Sequence, residues 1–275
     1  MNAKRQALAR EAALAAEHLA IGVSALGKAN YAQHAYYGQA FFALTVGLER
    51  SAKIALVVDH ALENRGTFPP NSELRTYGHN IKGLLERVDQ IAERRGLSSA
   101  EDRLPRSPIH NGIVETLSTF ATNITRYYNL DFVTGAPLAA QGGEPIRAWF
   151  ERVTLPILEK HYKPYYKRRH AQNARLIDQL FSNHALVLYH TETGDVLDSL
   201  YEASMQTAIT NFAKRYSRMY VMQVIRFVGR LLSELGYATQ SKRLEDIPYL
   251  AEFFAIFNNS DEYFKGRKTW SIYRP

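Results

Sequence analysis

The sequence of 275 residues contains no cysteine. This absence excludes disulfides, thiolate zinc sites, cysteine-held iron–sulfur clusters and a cysteine nucleophile. It also fits a reducing compartment, so we expect a cytoplasmic protein. The sequence lacks any run of about 18 uncharged apolar residues, and we therefore expect no membrane-spanning helix and no membrane partner.

Familiar motifs of enzyme chemistry are missing as well. No strand-led Gly-x-Gly-x-x-Gly, no His-Glu-x-x-His and no Gly-x-Ser-x-Gly occurs. The stretch Gly22–Lys28 comes nearest to a phosphate loop, but Ala29 stands where a Ser or Thr would hold magnesium. We therefore expect no resident metal or cofactor, and only a metal site built from residues distant in sequence stays open.

Helical periodicity dominates what the sequence does contain. Residues 80–95 place apolar side chains at i, i+3, i+4 and i+7, the spacing of one buried helix face. Similar spacing predicts an all-α fold. The helices are expected at about 4–27, 31–64, 80–95, 110–129, 146–157, 174–181, 197–236 and 244–258. Pro164 is expected to start or kink a helix before residue 174.

The stretch 133–145, rich in Gly, Ala and Pro, is the best candidate for a linker. We expect residues 1–130 to form an antiparallel up-down helical bundle and residues 145–275 to form a second helical region packed on it, with one fused bundle as the alternative. For residues 186–197 the sequence fits either a small hairpin or a loop between helices, and we favour the loop. We expect the basic C-terminal tail to dock through Trp270.

The densest charge lies in residues 160–175, which we call the basic tract. It holds six Lys and Arg residues and no acid, in a chain whose formal net charge is +7. Cations neutralise phosphates and aromatic faces stack on bases, so the tract is a candidate nucleic-acid site. The alternative is a solvated helix whose basic side chains cover tyrosine rings. The candidate contacts to RNA phosphates and bases are Lys163, Lys167, Arg168, Arg169, Tyr165 and Tyr166.

Glu49 and Lys53 lie four residues apart on one helix face, which by itself indicates a surface ion pair. A loop then leads to His79 and Asn80, either of which could cap the helix over 80–95. We assign Glu49, Lys53 and His79 a structural or auxiliary role.

This order of motifs resembles HEPN domains. The resemblance covers residues 31–130: Glu-x-x-x-Lys late in a long helix, then His-Asn-Ile-x-x-Leu-Leu opening the next, with residues 120–131 similar to the end of the last helix. It implies RNA biology. Many HEPN proteins are metal-independent endoribonucleases of toxin or antiviral defence systems that act as homodimers, whereas others are inactive binding modules.

The resemblance also implies a catalytic Arg followed, after four to six residues, by a His. Arg103 and His110 have this spacing, and Asn111 adjoins them. In such a site His transfers protons at the 2′-OH and the leaving oxygen, Arg stabilises the charged phosphorane, and Asn111 orients the phosphate. The competing interpretation is that His110 caps a helix or lies in an exposed loop.

These observations predict an RNA-directed effector, an endoribonuclease or an RNA-binding protein, acting as a homodimer. The alternative is a non-catalytic helical adaptor that binds a protein partner or DNA. An exposed apolar patch around Phe253, Phe254 and Phe257 would favour the adaptor. A small-molecule enzyme would instead need a deep pocket with convergent polar groups.

Overall fold

Helices form where apolar residues recur at helical spacing. A computed structural model describes residues 2–122, 127–135 and 143–271. The predicted all-α class is confirmed. The α-helices are α1 (Ala3–Leu26), α2 (Ala35–Glu63), α3 (Asn71–Thr76), α4 (Ile81–Arg94), α5 (Pro108–Ala121), α6 (Tyr128–Val133), α7 (Pro145–Trp149), α8 (Leu155–His161), α9 (Pro164–Phe181), α10 (Leu200–Ser241), α11 (Ala251–Phe254) and α12 (Asp261–Gly266).

Shorter turns join some of these helices. Ala100–Asp102, Ser182–His184 and Ala255–Phe257 are 3₁₀ turns, and Phe150–Thr154 is a π turn that joins α7 to α8. No helix in the described ranges is both long enough and apolar enough to cross a membrane.

Helices α1 and α2 pack closely because glycines lie where they meet. A Cβ on Gly22 would come within 2.7 Å of the Leu44 side chain, and one on Gly47 within 2.8 Å of Leu19. The other side of α2 contacts α4, α5 and α10. Helices α4, α5 and α10 therefore pack on the closely packed pair α1–α2.

The 42-residue helix α10 organises the second half of the chain. It contacts α1, α2, α5, α9, α11 and α12, and residues from both sides of the predicted 133–145 linker share one hydrophobic core. The core is thus continuous across the proposed boundary, while the division into two modules stays a prediction. Residues 136–142 of that linker, and residues 123–126 of the helix predicted over 110–129, lie outside the described residues.

The structure corrects two predictions. Residues 186–197 contain a hairpin rather than a loop, because Tyr189–His190 (β1) pairs antiparallel with Val196–Leu197 (β2). The turn between the strands has Gly194 at φ +91°, a conformation that glycine adopts without strain. The helix predicted over 244–258 is reduced to α11 and one 3₁₀ turn, since Pro248 lacks an N–H and disfavours helical backbone before it.

The predicted docking of the tail is confirmed. Trp270 is 5% exposed, and its backbone N–H donates to Ser24 Oγ of α1 over 2.8 Å. The contact closes the end of the chain onto its first helix.

Candidate functional site

Arg103 leaves the Ala100–Asp102 turn and reaches back to α4. Its Nε donates to Asp89 Oδ1 over 2.8 Å and its Nη2 to Oδ2 over 3.2 Å. Asp89, which is 5% exposed, also accepts from the Leu104 backbone N–H and from Arg106. Burial raises the pKa of Asp89, but the hydrogen bonds from Arg103, Leu104 and Arg106 and the charge of Arg103 outweigh it and lower the pKa. Arg103 therefore fastens the loop before α5 to α4.

His110 lies in the first turn of α5, whose N-cap is Ser107. The competing interpretation of His110 as a helix cap is wrong, because Ser107 is the N-cap. The interpretation as an exposed loop residue is also wrong, because the side chain is buried and its ring contacts Gln223 of α10. His110 Nε2 lies 2.7 Å from Gln223 Oε1 on α10, and Nδ1 lies 2.7 Å from Ser107 Oγ. An amide oxygen only accepts, so Nε2 donates to Gln223 and Nδ1 accepts from the Ser107 hydroxyl.

The surroundings favour the neutral form of His110. Burial is the largest effect and lowers the pKa of His110, and the positive charge of Lys160 lowers it further. The hydrogen bond to Gln223 and the charge of Asp261 raise the pKa but do not compensate, so the net effect is a lowering. The ring also packs edge-to-face on Tyr220 with centroids 5.0 Å apart. Both ring nitrogens are thus engaged inside the chain.

The three predicted catalytic side chains each bond to different partners. Arg103 bonds Asp89, His110 bonds Ser107 and Gln223, and the exposed Asn111 amide donates to the Arg106 carbonyl over 3.5 Å. Within the described ranges these side chains have no hydrogen-bond partner in common. Their joint action across a homodimer stays a prediction.

Glu49, Lys53 and His79, by contrast, form one cluster. Lys53 Nζ lies 2.8 Å from Glu49 Oε1, and His79 Nδ1 lies 3.0 and 3.1 Å from the two Glu49 oxygens. The N-cap of α4 is Asn80, which accepts from the Gly83 N–H, so His79 is free of the capping role. The sequence marked these residues, but only the fold reveals that a residue 30 positions away meets Glu49.

The basic tract lies on the surface and runs from the last residues of α8 into α9. Pro164 begins the helix, as predicted, and Ala174 is its one described buried side chain. Every cation of the tract is exposed, and none forms an ion pair with a described acid; they are Lys160, Lys163, Lys167, Arg168, Arg169 and Arg175. The positive charge of this cluster is not neutralised by described acids and could attract a polyanion.

The two candidate stacking tyrosines differ in environment. Tyr165 is 60% exposed, whereas Tyr166 is 37% exposed and packs against Phe212 with ring centroids 5.0 Å apart. Tyr165 therefore has the more available ring face, while Tyr166 also anchors α9 on α10.

Arg215 of α10, which the sequence reasoning missed, is an exposed cation whose charge acts on His170 of the tract. Burial lowers the pKa of His170 in the tract, and the charges of Arg169 and Arg215 lower it further. Burial likewise lowers the pKa of Lys214, with Arg218 adding to the effect and Glu192 opposing it. Arg218 is 4% exposed and donates to the Lys265 carbonyl, so within the Lys-Arg-x-x-Arg spacing at 214–218 only Arg215 is exposed.

An apolar surface follows the tract along the chain. It comprises the end of α9 and the hairpin segment, and its most exposed side chains are Leu176 (56%), Leu180 (59%), Phe181 (54%), Leu186 (83%), Leu188 (77%) and Val196 (60%). The exposed patch around Phe253, Phe254 and Phe257 that would have favoured the adaptor is not present, because Phe254 and Phe257 are buried in the core. Helical spacing shows which residues share a face but not what covers that face, so the sequence could not decide whether such a patch is exposed.

Comparisons of this chain with protein-family models, with curated proteins and with solved structures return no match. The resemblance to HEPN domains therefore rests on the sequence motifs alone. Among the described residues, no three His, Asp or Glu side chains are grouped closely enough to hold a metal ion.

Proposed function

We propose that this chain is an RNA-directed protein that binds the phosphate backbone on the basic tract of α9. The observation that carries the proposal is the set of six exposed cations without an acidic partner among the described residues. Like charges along about four helical turns repel one another, and a polyanion relieves that repulsion. Tyr165 offers a ring face for a base in the same segment.

The proposal predicts a steep salt dependence of RNA affinity. If four cations each neutralise one phosphate of a single strand, Kd rises about fifty-fold between 50 and 200 mM salt. Lys167→Glu with Arg168→Glu should weaken binding and flatten the salt slope. The matched control is Arg10→Glu with Lys82→Glu, because both residues are exposed on other helices and the charge change is the same. Fluorescence anisotropy with labelled RNA measures both; equal losses in the two variants would refute a site on α9.

RNA cleavage by Arg103, His110 and Asn111 is the second part of the predicted function. It requires His110 to give up its bond to Gln223 or Ser107, since both ring nitrogens are occupied. Incubation of labelled RNA in EDTA with wild type and His110→Ala tests this part. Cleavage that disappears with the variant, while its melting temperature is retained, would support it.

A non-catalytic adaptor that binds a protein partner is the second candidate, and the apolar surface of α9 and the hairpin favours it. Contiguous exposed apolar side chains mark interaction sites on soluble proteins. In this case the chain would bind RNA weakly, without a salt slope set by the tract. Sedimentation of wild type beside Leu176→Ser with Leu180→Ser would reveal whether this surface associates with a second copy.

A further inference from the structure

Three surface grooves join along α2. One of about 430 Å³ and another of about 330 Å³ share Arg50 and His79 in their walls. A third, also about 430 Å³, continues the first through four shared residues and reaches an apolar end. That end is lined by Leu8, Val57, Phe68, Pro69 and Leu74, and Lys4 Nζ lies 5.6 Å from the centroid of the Phe68 ring. We call these three adjoining grooves the channel; its middle is charged and its far end is mostly apolar.

The charged middle has one cation in excess. Arg50 is neutralised by Glu11 at 2.7 Å, and Lys53 by Glu49 at 2.8 Å. Arg75 lines the same groove, is exposed and forms no ion pair with a described acid. An anionic group is therefore favoured beside Arg75, next to an apolar surface that suits a planar base.

His79 presents a free nitrogen to this channel. A carboxylate only accepts hydrogen bonds, so His79 Nδ1 donates to Glu49, and in the neutral imidazole Nε2 carries the lone pair. The imidazole is 71% exposed, while Glu49 is 21% exposed and is also held by Lys53. A base oriented by a second group and open to the solvent side is the arrangement needed for proton transfer, and His110 lacks it.

We propose that His79 is the general base of a phosphodiester-cleaving site for single-stranded RNA, with Glu49 as its positioning residue and Arg75 as the phosphate-binding cation. The proposal rests on the RNA-directed function proposed above. His79 Nε2 takes the proton of the 2′-OH, the O2′–P bond forms and the P–O5′ bond breaks. The leaving O5′ takes a proton from water, and the imidazolium returns its proton to the solvent. The products are a 2′,3′-cyclic phosphate and a 5′-OH.

The experiment uses two substrates in EDTA: the dinucleotide UpA, which needs only the channel, and a 30-nucleotide single strand, which also reaches the basic tract. Wild type is compared with His79→Ala, Glu49→Gln and His184→Ala. His184 is a matched control because it is an exposed histidine outside the channel. Lys167→Glu with Arg168→Glu tests the tract in the same series, and melting temperatures report folding.

We expect His79→Ala to lower kcat on both substrates about 10²-fold to 10⁴-fold while RNA affinity stays unchanged. Glu49→Gln should lower kcat at least about tenfold with KM unchanged, because the Glu49 carboxylate orients His79 and does not contact the substrate. If the bond between Glu49 and His79 only held residues 71–79 on α2, its loss would lower the melting temperature and leave kcat unchanged. His184→Ala should match wild type.

The outcomes separate the two proposals. Wild type that binds RNA but cleaves neither substrate, or His79→Ala that cleaves as wild type does, overturns the cleavage site. Cleavage of UpA that depends on His79, together with RNA binding indifferent to the tract substitutions, overturns the binding surface and leaves the cleavage site standing. A wild type that neither binds nor cleaves overturns both.

Discussion

Replacing Asp89 should reveal whether Arg103 serves the fold or the chemistry. Asp89→Ala removes the acceptor of the buried Leu104 N–H, and an unpaired buried donor costs about 1–3 kcal/mol. It also releases Arg103 and Arg106, whose side chains are 33% and 60% exposed and can be hydrated. We therefore expect a total loss of about 2–4 kcal/mol in the free energy of unfolding.

The same geometry sets an order for the arginine variants. Arg103→Ala removes two hydrogen bonds but leaves Asp89 with the Leu104 N–H and Arg106, so we expect a loss of about 1–2 kcal/mol. Arg106→Ala removes one exposed contact and should cost less than about 1 kcal/mol.

Urea unfolding followed by far-UV circular dichroism measures all three losses, and RNA cleavage is assayed on the same samples. An Arg103→Ala variant that unfolds as wild type does, yet no longer cleaves RNA that wild type cleaves, would refute the structural role. A loss for Arg106→Ala as large as that for Asp89→Ala would refute the burial argument.

Two further predictions concern α5 and α2. Gly112→Ala should destabilise the protein by about 1–3 kcal/mol, because the new Cβ would lie 2.3 Å from the Arg152 carbonyl oxygen in the π turn. Gly38→Ala should instead stabilise the protein by about 0.5–1 kcal/mol, because the new Cβ would meet nothing within 4 Å. Thermal unfolding of both variants checks the contrast, and equal effects would contradict it. The pKa of His110 lies below its ordinary value of about 6.5, so the unfolded chain takes up a proton first as pH falls below that value. Stability from neutral His110 is thus complete above about pH 6.5 and is lost below it; urea unfolding at pH 7.5 and 5.5 should show a smaller drop for His110→Asn than for wild type.

The sequence predicted best what depends on neighbours along the chain. The apolar period over 80–95 matches α4 (Ile81–Arg94) within a residue at each end, and Pro164 begins α9. Both follow from local rules, namely helical spacing and the helical φ that proline already has. The two-residue strands of the hairpin are too short to show alternation, so the same rules missed them.

What the sequence could not give is which distant residues meet. His110 bonds Gln223 across 113 positions, and His79 bonds Glu49 across 30. The Arg-to-His spacing that singled out His110 does not show that α10 covers its ring. Glu49 and His79 each belonged to a motif with a common structural explanation, an ion pair for Glu49 and a helix cap for His79. Tertiary packing therefore favours His79 over His110 as the accessible imidazole.

The charge distribution gives the two proposed sites different tasks. Without the six cations of the basic tract the formal net charge of +7 would fall by six to +1, so we expect long-range attraction for a polyanion to come from the tract. The channel beside His79 has one cation, Arg75, in excess over its ion pairs, which suits a single phosphate and not a backbone. Affinity for long RNA should therefore follow α9 and the salt concentration, while the position of cleavage should follow the channel.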